Sequence, residues 1–292
     1  MAVTVTDIYR YPVKSCRGEW LPAASVEPWG LAGDRRWMIV DDDGLVVTAR
    51  ERPRLLLVTP AVESGAIRLT ARGMPELTVS IPAGPRERDL VPVVVWDSKL
   101  VAAAASREAG NWLSAVAGET VRLVYLDDPT RRRTNPAYSR DTDRVSFADG
   151  YPLLLTAESS LAALNELIAA GPLAAEGPLP MRRFRPSVVV SGTVAWAEDG
   201  WRLLRIGGTG FRAVKGCDRC VMTTIDPDTA AGGKEPIATL ARSRRWDGKV
   251  WFGMNLIPDL PPGGNAGAAP QIRVGDLVEI LDQADHADGP PR

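Results

Sequence analysis

What most restricts the fold of this chain is a rhythm of short strands. Residues 3–11 alternate apolar and polar side chains up to Pro12. Further β-favouring runs follow: one ending at Val40, then residues 45–50, 55–58, 66–70, 77–81, 91–96 and 121–126. Gly, Pro or Asp separates most of them, and strands of this length and spacing argue for a barrel or sandwich. One helical pattern interrupts them at residues 102–115, with Trp112 and Leu113 on its apolar side. The run Asp41-Asp42-Asp43-Gly44 lacks the spaced ligands and closing glutamate of a calcium loop and reads as a hairpin tip.

Residues 127–144 change character and form the best linker candidate, with Arg131-Arg132-Arg133 as a basic loop facing solvent or an anionic partner. Beyond it come the Asp149-Gly150 turn, a strand at 153–155, and a helix capped by Thr156 and stopped by Gly171-Pro172. Arg182, Arg183 and Arg185 stand at the mouth of a buried strand at 188–190, where arginine's planar fork suits a phosphate as well as a carboxylate. Gly207-Gly208 marks a tight hairpin, and residues 237–242 a short helix. The run Val250-Trp251-Phe252-Gly253-Met254-Asn255 follows, the last strand is expected at 272–281, and no order from residue 283 onward.

Composition removes many functions. A formal net charge of −1 gives no reason to expect nucleic-acid or membrane binding. Three cysteines, no apolar run near membrane-spanning length and no signal-like N-terminus suggest a cytoplasmic protein. The sole histidine, His286, lies in the polar tail, which excludes Ser-His-Asp and Cys-His hydrolases and two-histidine metal sites. Neither a P-loop nor a dinucleotide fingerprint is present.

Chemistry concentrates in Gly216-Cys217-Asp218-Arg219-Cys220, followed by the β-favouring run Val221, Thr223, Thr224, Ile225. A Cys-x-x-Cys pair can be half of a zinc site, a redox dithiol, two structural cysteines, or one thiolate ligand beside a bystander. Zinc lacks further ligands, since only Cys16 and His286 remain. A redox dithiol usually opens a helix, whereas the residues after Cys220 read as a strand. A thiolate on a strand beside a cation also suits a soft metal. The loop Tyr11-Pro12-Val13-Lys14-Ser15-Cys16 can grip an anion through side chains and backbone amides.

Taken together, Tyr11-Pro12-Val13-Lys14-Ser15-Cys16, Gly33-Asp34-Arg35-Arg36-Trp37, Leu45-Val46-Val47-Thr48-Ala49-Arg50, Phe184-Arg185-Pro186, Cys217-Asp218-Arg219-Cys220 and Phe252-Gly253-Met254-Asn255 resemble MOSC-domain proteins. Within that family the likeness is strongest to the amidoxime-reducing components and their bacterial relatives, which reduce N-hydroxylated compounds. The resemblance implies a mainly β fold with a few helices. Its parts are a MOSC N-terminal β-barrel-like region over 1–130, a MOSC β-barrel domain over 131–285 and a disordered tail over 286–292. It implies a molybdenum–molybdopterin cofactor with Cys220 as the metal ligand. Lys14, Ser15, Arg35, Arg185, Ser187, Asp218, Arg219 and Asn255 are the matching cofactor-binding positions. Relatives usually carry Asn at the position of Ser187, and those of the mitochondrial kind carry Tyr at that of Asn255.

The implied reaction is two-electron removal of oxygen from a small N-hydroxylated compound, R₂N–OH + 2e⁻ + 2H⁺ giving R₂N–H and water. Asp149 is the candidate proton donor, on the expectation that burial raises its pKa. Electrons are expected from a separate electron-transfer protein and its reductase, docking through Arg131–133 and the cluster Arg242, Arg244 and Arg245. The rival reading is a sulfur-carrier or cofactor-handling protein without reductase activity.

Overall fold

A computed structural model describes residues 2–82, 90–260, 269–284 and 289–291. His286 lies outside the described residues. The strand rhythm resolves into two closed barrels, and the first strand belongs to the second of them.

The smaller barrel runs Trp37–Val40, Arg122–Tyr125, Ser98–Ala104, Leu90–Val95, each antiparallel to the next. Residues 44–47 close it, since Val46 bridges to Val40 and Leu45 to Val94. Closure leaves no unpaired edge between these strands. Met38, Val40, Val93, Val95, Ala102, Val124 and Leu126 fill it, and Phe147 enters from the second half of the chain. A three-stranded meander, Thr59–Glu63, Ala66–Thr70 and Leu77–Ser80, packs beside it with the helix Arg107–Ala117. That helix starts later than the sequence pattern suggests, because residues 98–104 stay paired as strand and Ser106 then caps it, Oγ accepting from the Ala109 N–H.

The larger barrel runs Val278–Gln283, Trp201–Ile206, Thr209–Asp218, Lys249–Pro258, Leu153–Ala157, Val188–Ser191, Thr4–Arg10. The first strand then bonds back to the start of the last: the Val5 N–H donates to Asp276 O (2.9 Å) and the Val278 N–H to Val3 O (2.8 Å). Ile8, Val188, Leu155, Met254, Phe211 and Leu204 are fully enclosed inside. Each such side chain contributes roughly 1.5–3 kcal/mol of burial. The boundary expected at residue 130 is therefore crossed by the chain's first strands. Gly253 lets two strands approach: its φ is 78°, and an added Cβ would lie 2.7 Å from Leu155 O.

Several local expectations change. Residues 55–58 fall mostly within a 3-10 turn, Pro53–Leu57, and residues 48–50 turn away after isolated bridges. Thr156 remains in its strand, and the helix Glu158–Ala169 begins without a side-chain cap. Val221–Thr224 is a single 3-10 turn rather than a strand: the Thr223 hydroxyl donates to Cys220 O (3.0 Å) and the Thr224 hydroxyl to Val221 O (2.8 Å), bonds that favour a turn over a ladder. The tail is ordered in part. Gln283 ends a strand, Pro290 is buried, and Pro291 O accepts from the Gly216 N–H (2.8 Å). No helix of the described residues is long and apolar enough to cross a membrane.

Candidate functional site

The barrels meet at a cavity that collects Lys14, Ser15, Arg35, Asp149, Arg185, Ser187, Asp218, Arg219, Cys220 and Asn255, every site position expected from the sequence. Six cationic side chains line it (Lys14, Arg35, Arg50, Arg183, Arg185, Arg219) against two carboxylates (Asp149, Asp218). Such a wall selects an anionic ligand. Seven described non-glycine residues adopt left-handed φ, and four of them, Ser15, Arg35, Trp96 and Arg185, are in this lining. Backbone strain of this kind persists where surrounding contacts over-determine it.

Those contacts are visible. Arg35 Nη1 donates to buried Asp34 Oδ2 (2.6 Å), whose Oδ1 accepts the Tyr11 N–H (2.7 Å). Arg185 Nη1 donates to Cys16 O (2.7 Å). The guanidinium carbons of Arg35 and Arg185 each lie 4.2 Å from the centre of the Tyr11 ring. Burial lowers the Arg185 pKa to about 10 and raises that of the Cys16 thiol to about 12, so Cys16 is a packed, inert thiol. Arg219 donates to Phe184 O and to Cys217 Sγ (2.7 Å). Burial still raises the Cys217 thiol, partly offset by that arginine.

Cys220, in contrast, is exposed, and Arg50 Nε donates to its sulfur (3.3 Å). Arg50 Nη2 also donates to Asp149 Oδ2 (3.2 Å), so one guanidinium ties the thiol to the carboxylate. Lys14 Nζ donates to Asp149 Oδ1 and to Phe147 O (2.8 Å), and Trp96 Nε1 donates to Asp149 Oδ1 (3.3 Å). Asp149 corrects an expectation. Desolvation at the cavity wall pushes its pKa up, but the side chain is 64% exposed, and the charges of Lys14 and Arg50 outweigh desolvation and hold the carboxyl well below the usual range. It is a fixed anion, not an acid waiting to donate. Of the cavity groups with a shifted pKa, Lys14 comes nearest neutrality, since burial brings it down to about 8 against the pull of Asp149.

The basic triplet corrects another expectation. Arg132 is buried and its guanidinium donates to the carbonyls of Ser146, Ala148 and Asp149, supporting the loop that carries Asp149. Arg131 pairs with Asp127 (2.7 Å), and Arg133 pairs with Asp141. Arg244 is buried against Asp199 with its guanidinium 4.0 Å from the Trp196 ring, which leaves Arg242 and Arg245 as the exposed members of that cluster.

Among the remaining positions, Ser187 Oγ accepts the Leu154 N–H (3.3 Å) and Asn255 Nδ2 donates to Gly216 O (3.1 Å). Asp218 turns its carboxylate toward Lys249 (3.1 Å) and Lys215 (3.5 Å). Sequence reasoning gave no site role to Arg50, which closes one of the quoted motifs, and nothing in the sequence marked Trp96. Among the described residues no group of three or more His, Cys, Asp or Glu side chains is placed to hold a metal ion.

A family model described as MOSC N-terminal beta barrel domain matches residues 2–120, and one described as MOSC domain matches residues 142–279. The chain belongs to the MOSC-domain family. This MOSC chain is 32% identical over 292 residues to mitochondrial amidoxime-reducing component 1 of Mus musculus, covering 96% of this chain and 83% of that protein. It is 33% identical over 290 residues to mitochondrial amidoxime reducing component 2 of Rattus norvegicus, covering 94% and 82%. It is 30% identical over 288 residues to component 1 of Xenopus laevis, covering 94% and 81%. Between the two matched MOSC segments lie the strand Arg122–Tyr125 and Arg132.

Proposed function

We propose that the chain is a molybdenum-cofactor-dependent reductase of N-hydroxylated compounds that receives electrons from a separate donor protein. The observation that carries the reading is an exposed thiol, Cys220, inside a cavity walled by six cations. In the same lining Tyr151 OH and Arg219 Nε are buried with no hydrogen-bond partner among the described residues. A large anionic group with oxygen and nitrogen edges would satisfy both, so the residues fit a molybdenum–pterin phosphate.

In this reading Cys220 is the one protein ligand to the metal, and Arg50 steadies its sulfur. Lys14, Ser15, Arg35, Arg185 and Arg219 hold the pterin and its phosphate. When bound, that group supplies the two-electron couple and the Lewis acid. Lys14 Nζ carries a proton at neutral pH against Asp149 Oδ1, so a proton consumed in the cavity can be drawn from Nζ and replaced by solvent. Asp149 keeps that ammonium charged and in place. The names of the relatives, amidoxime-reducing components, support N-hydroxylated compounds as substrates.

The test begins with metal and pterin analysis of protein made in a molybdenum-replete host, with about one molybdenum per chain expected. The loaded protein should reduce an N-hydroxylated compound with reduced viologen but not with NADPH alone. Adding a small electron-transfer protein and its reductase should restore NADPH-dependent turnover, with a rate that falls as salt is added. Loaded protein that reduces no N-hydroxylated compound with viologen would leave cofactor handling as the better reading.

A further inference from the structure

Trp96 occupies the turn between the strands Leu90–Val95 and Ser98–Ala104, with φ at 53°. A bulky side chain in that region is a genuine backbone outlier. It is held by three contacts at the cavity. Its Nε1 donates to Asp149 Oδ1 (3.3 Å), and its ring lies 4.4 Å from the Arg50 guanidinium and 5.3 Å from the Lys14 ammonium. Even so, Trp96 is 40% exposed. The other two aromatic lining residues differ: Phe184 is buried and Tyr151 half-buried. Trp96 is therefore the most exposed aromatic side chain of the lining, and Arg50 contacts both its ring and the Cys220 sulfur. A cation against the ring draws on its π density, and the exposed surface then favours offset stacking with a second flat π system.

We infer that Trp96 is a specificity-determining residue whose indole stacks on the planar part of an aryl or otherwise conjugated N-hydroxylated compound, a surface that small saturated N-hydroxylated compounds do not need. This rests on the reductase reading for its substrates. Loss of the Nε1 bond to Asp149 affects every substrate alike, whereas loss of the stacking surface affects only planar ones. The ratio of KM values between the two kinds of substrate isolates the proposed role.

The experiment uses the loaded full chain, wild type and Trp96→Ala, Trp96→Leu and Trp96→Phe, with viologen-driven reduction of benzamidoxime and of N-methylhydroxylamine. The ratio of the benzamidoxime KM to the N-methylhydroxylamine KM should rise about tenfold in the Ala and Leu variants and return toward wild type in Phe. The kcat values for the two substrates should shift by a common factor. A ratio unchanged in both Ala and Leu, or unrestored by Phe, overturns the inference. Calorimetric titration of benzamidoxime into the same proteins without reductant separates the two ideas. If the wild type reduces neither compound, yet binds benzamidoxime about tenfold more tightly than Trp96→Leu, the reductase reading falls and the role of Trp96 stands. Equal binding by wild type and Trp96→Leu removes the role whatever the turnover.

Discussion

Replacing Arg132 with methionine removes a strut that the sequence presents as a surface charge. Arg132 is 4% exposed, and its guanidinium donates to three backbone carbonyls, those of Ser146, Ala148 and Asp149. Hydrogen bonds to a charged donor contribute roughly 1.5–3 kcal/mol each, which gives a gross value of about 4.5–9 kcal/mol. Burying the charge costs several kcal/mol of that, and burial accordingly lowers the Arg132 pKa to about 10. Methionine fills much of the space but donates nothing, so the net loss should be about 2–4 kcal/mol. For a chain of 292 residues that is a fall in Tm of roughly 3–7 °C, read by circular dichroism. The neighbouring Arg133→Ala is the control: its ion pair with Asp141 has side chains 57% and 94% exposed, and it should change stability by less than about 1 kcal/mol. Because Arg132 anchors the loop carrying Asp149, molybdenum content should fall in Arg132→Met and hold in Arg133→Ala. A Tm within about 2 °C of wild type for Arg132→Met would refute this account.

Further substitutions and a pH series probe the site and its scaffold. Cys220→Ser should abolish turnover while Cys217→Ser and Cys16→Ser keep most of it, and equal losses at 217 and 220 would indicate dithiol chemistry. Arg185→Ala should lower molybdenum occupancy after dialysis with little change in far-ultraviolet circular dichroism, and full occupancy would remove Arg185 from the site. Lys14 gives a pH dependence: its folded pKa of about 8 lies below its ordinary 10.5, so the folded chain releases this proton first as pH rises. Affinity for a phosphate ester, measured by calorimetry, should therefore decline above about pH 8, by up to about tenfold per unit, and Lys14→Arg should abolish the decline. The fold moves oppositely, because between 8 and 10.5 the unfolded chain holds more protons and this group's contribution to stability rises with pH. Gly253→Ala should cost about 1–3 kcal/mol in chemical denaturation, since its Cβ would meet Leu155 O in a left-handed backbone.

The parts of the site carried by contiguous motifs were legible from the chain. Lys14-Ser15, Arg35, Arg185 and Cys217 to Cys220 each sit in a short run whose residue types already suit an anion or a metal, and the fold brings them to one cavity. The charge state of Asp149 was not legible, because it is set by Lys14, 135 positions away, and Arg50, 99 positions away. Arg132 was misread for a similar reason: three arginines in a row look alike until one of them finds interior carbonyls. Strand propensity failed at Val221–Thr224, where threonine hydroxyls bond locally to the backbone and fold the segment into a turn. Strand spacing argued for a barrel or sandwich, but which strand completes which barrel is a long-range matter that spacing does not carry.

That last point bears on how the protein can be made and cut. The strand Thr4–Arg10 is synthesised long before Val188–Ser191 and Leu277, between which it sits. Its ladder must wait for them, and such distant pairing slows folding. During synthesis the smaller barrel can assemble first, while the earliest strand stays unpaired and open to a chaperone or to the wrong neighbour. Expressing residues from 131 onward alone would yield a barrel with one stave missing, exposing the edges of Val188–Ser191 and of the chain near Leu277 as templates for self-association. Chimaeras between relatives should therefore keep residues 4–31 with the larger barrel, and a circular permutant that fuses this segment after residue 284 should fold faster than the native order.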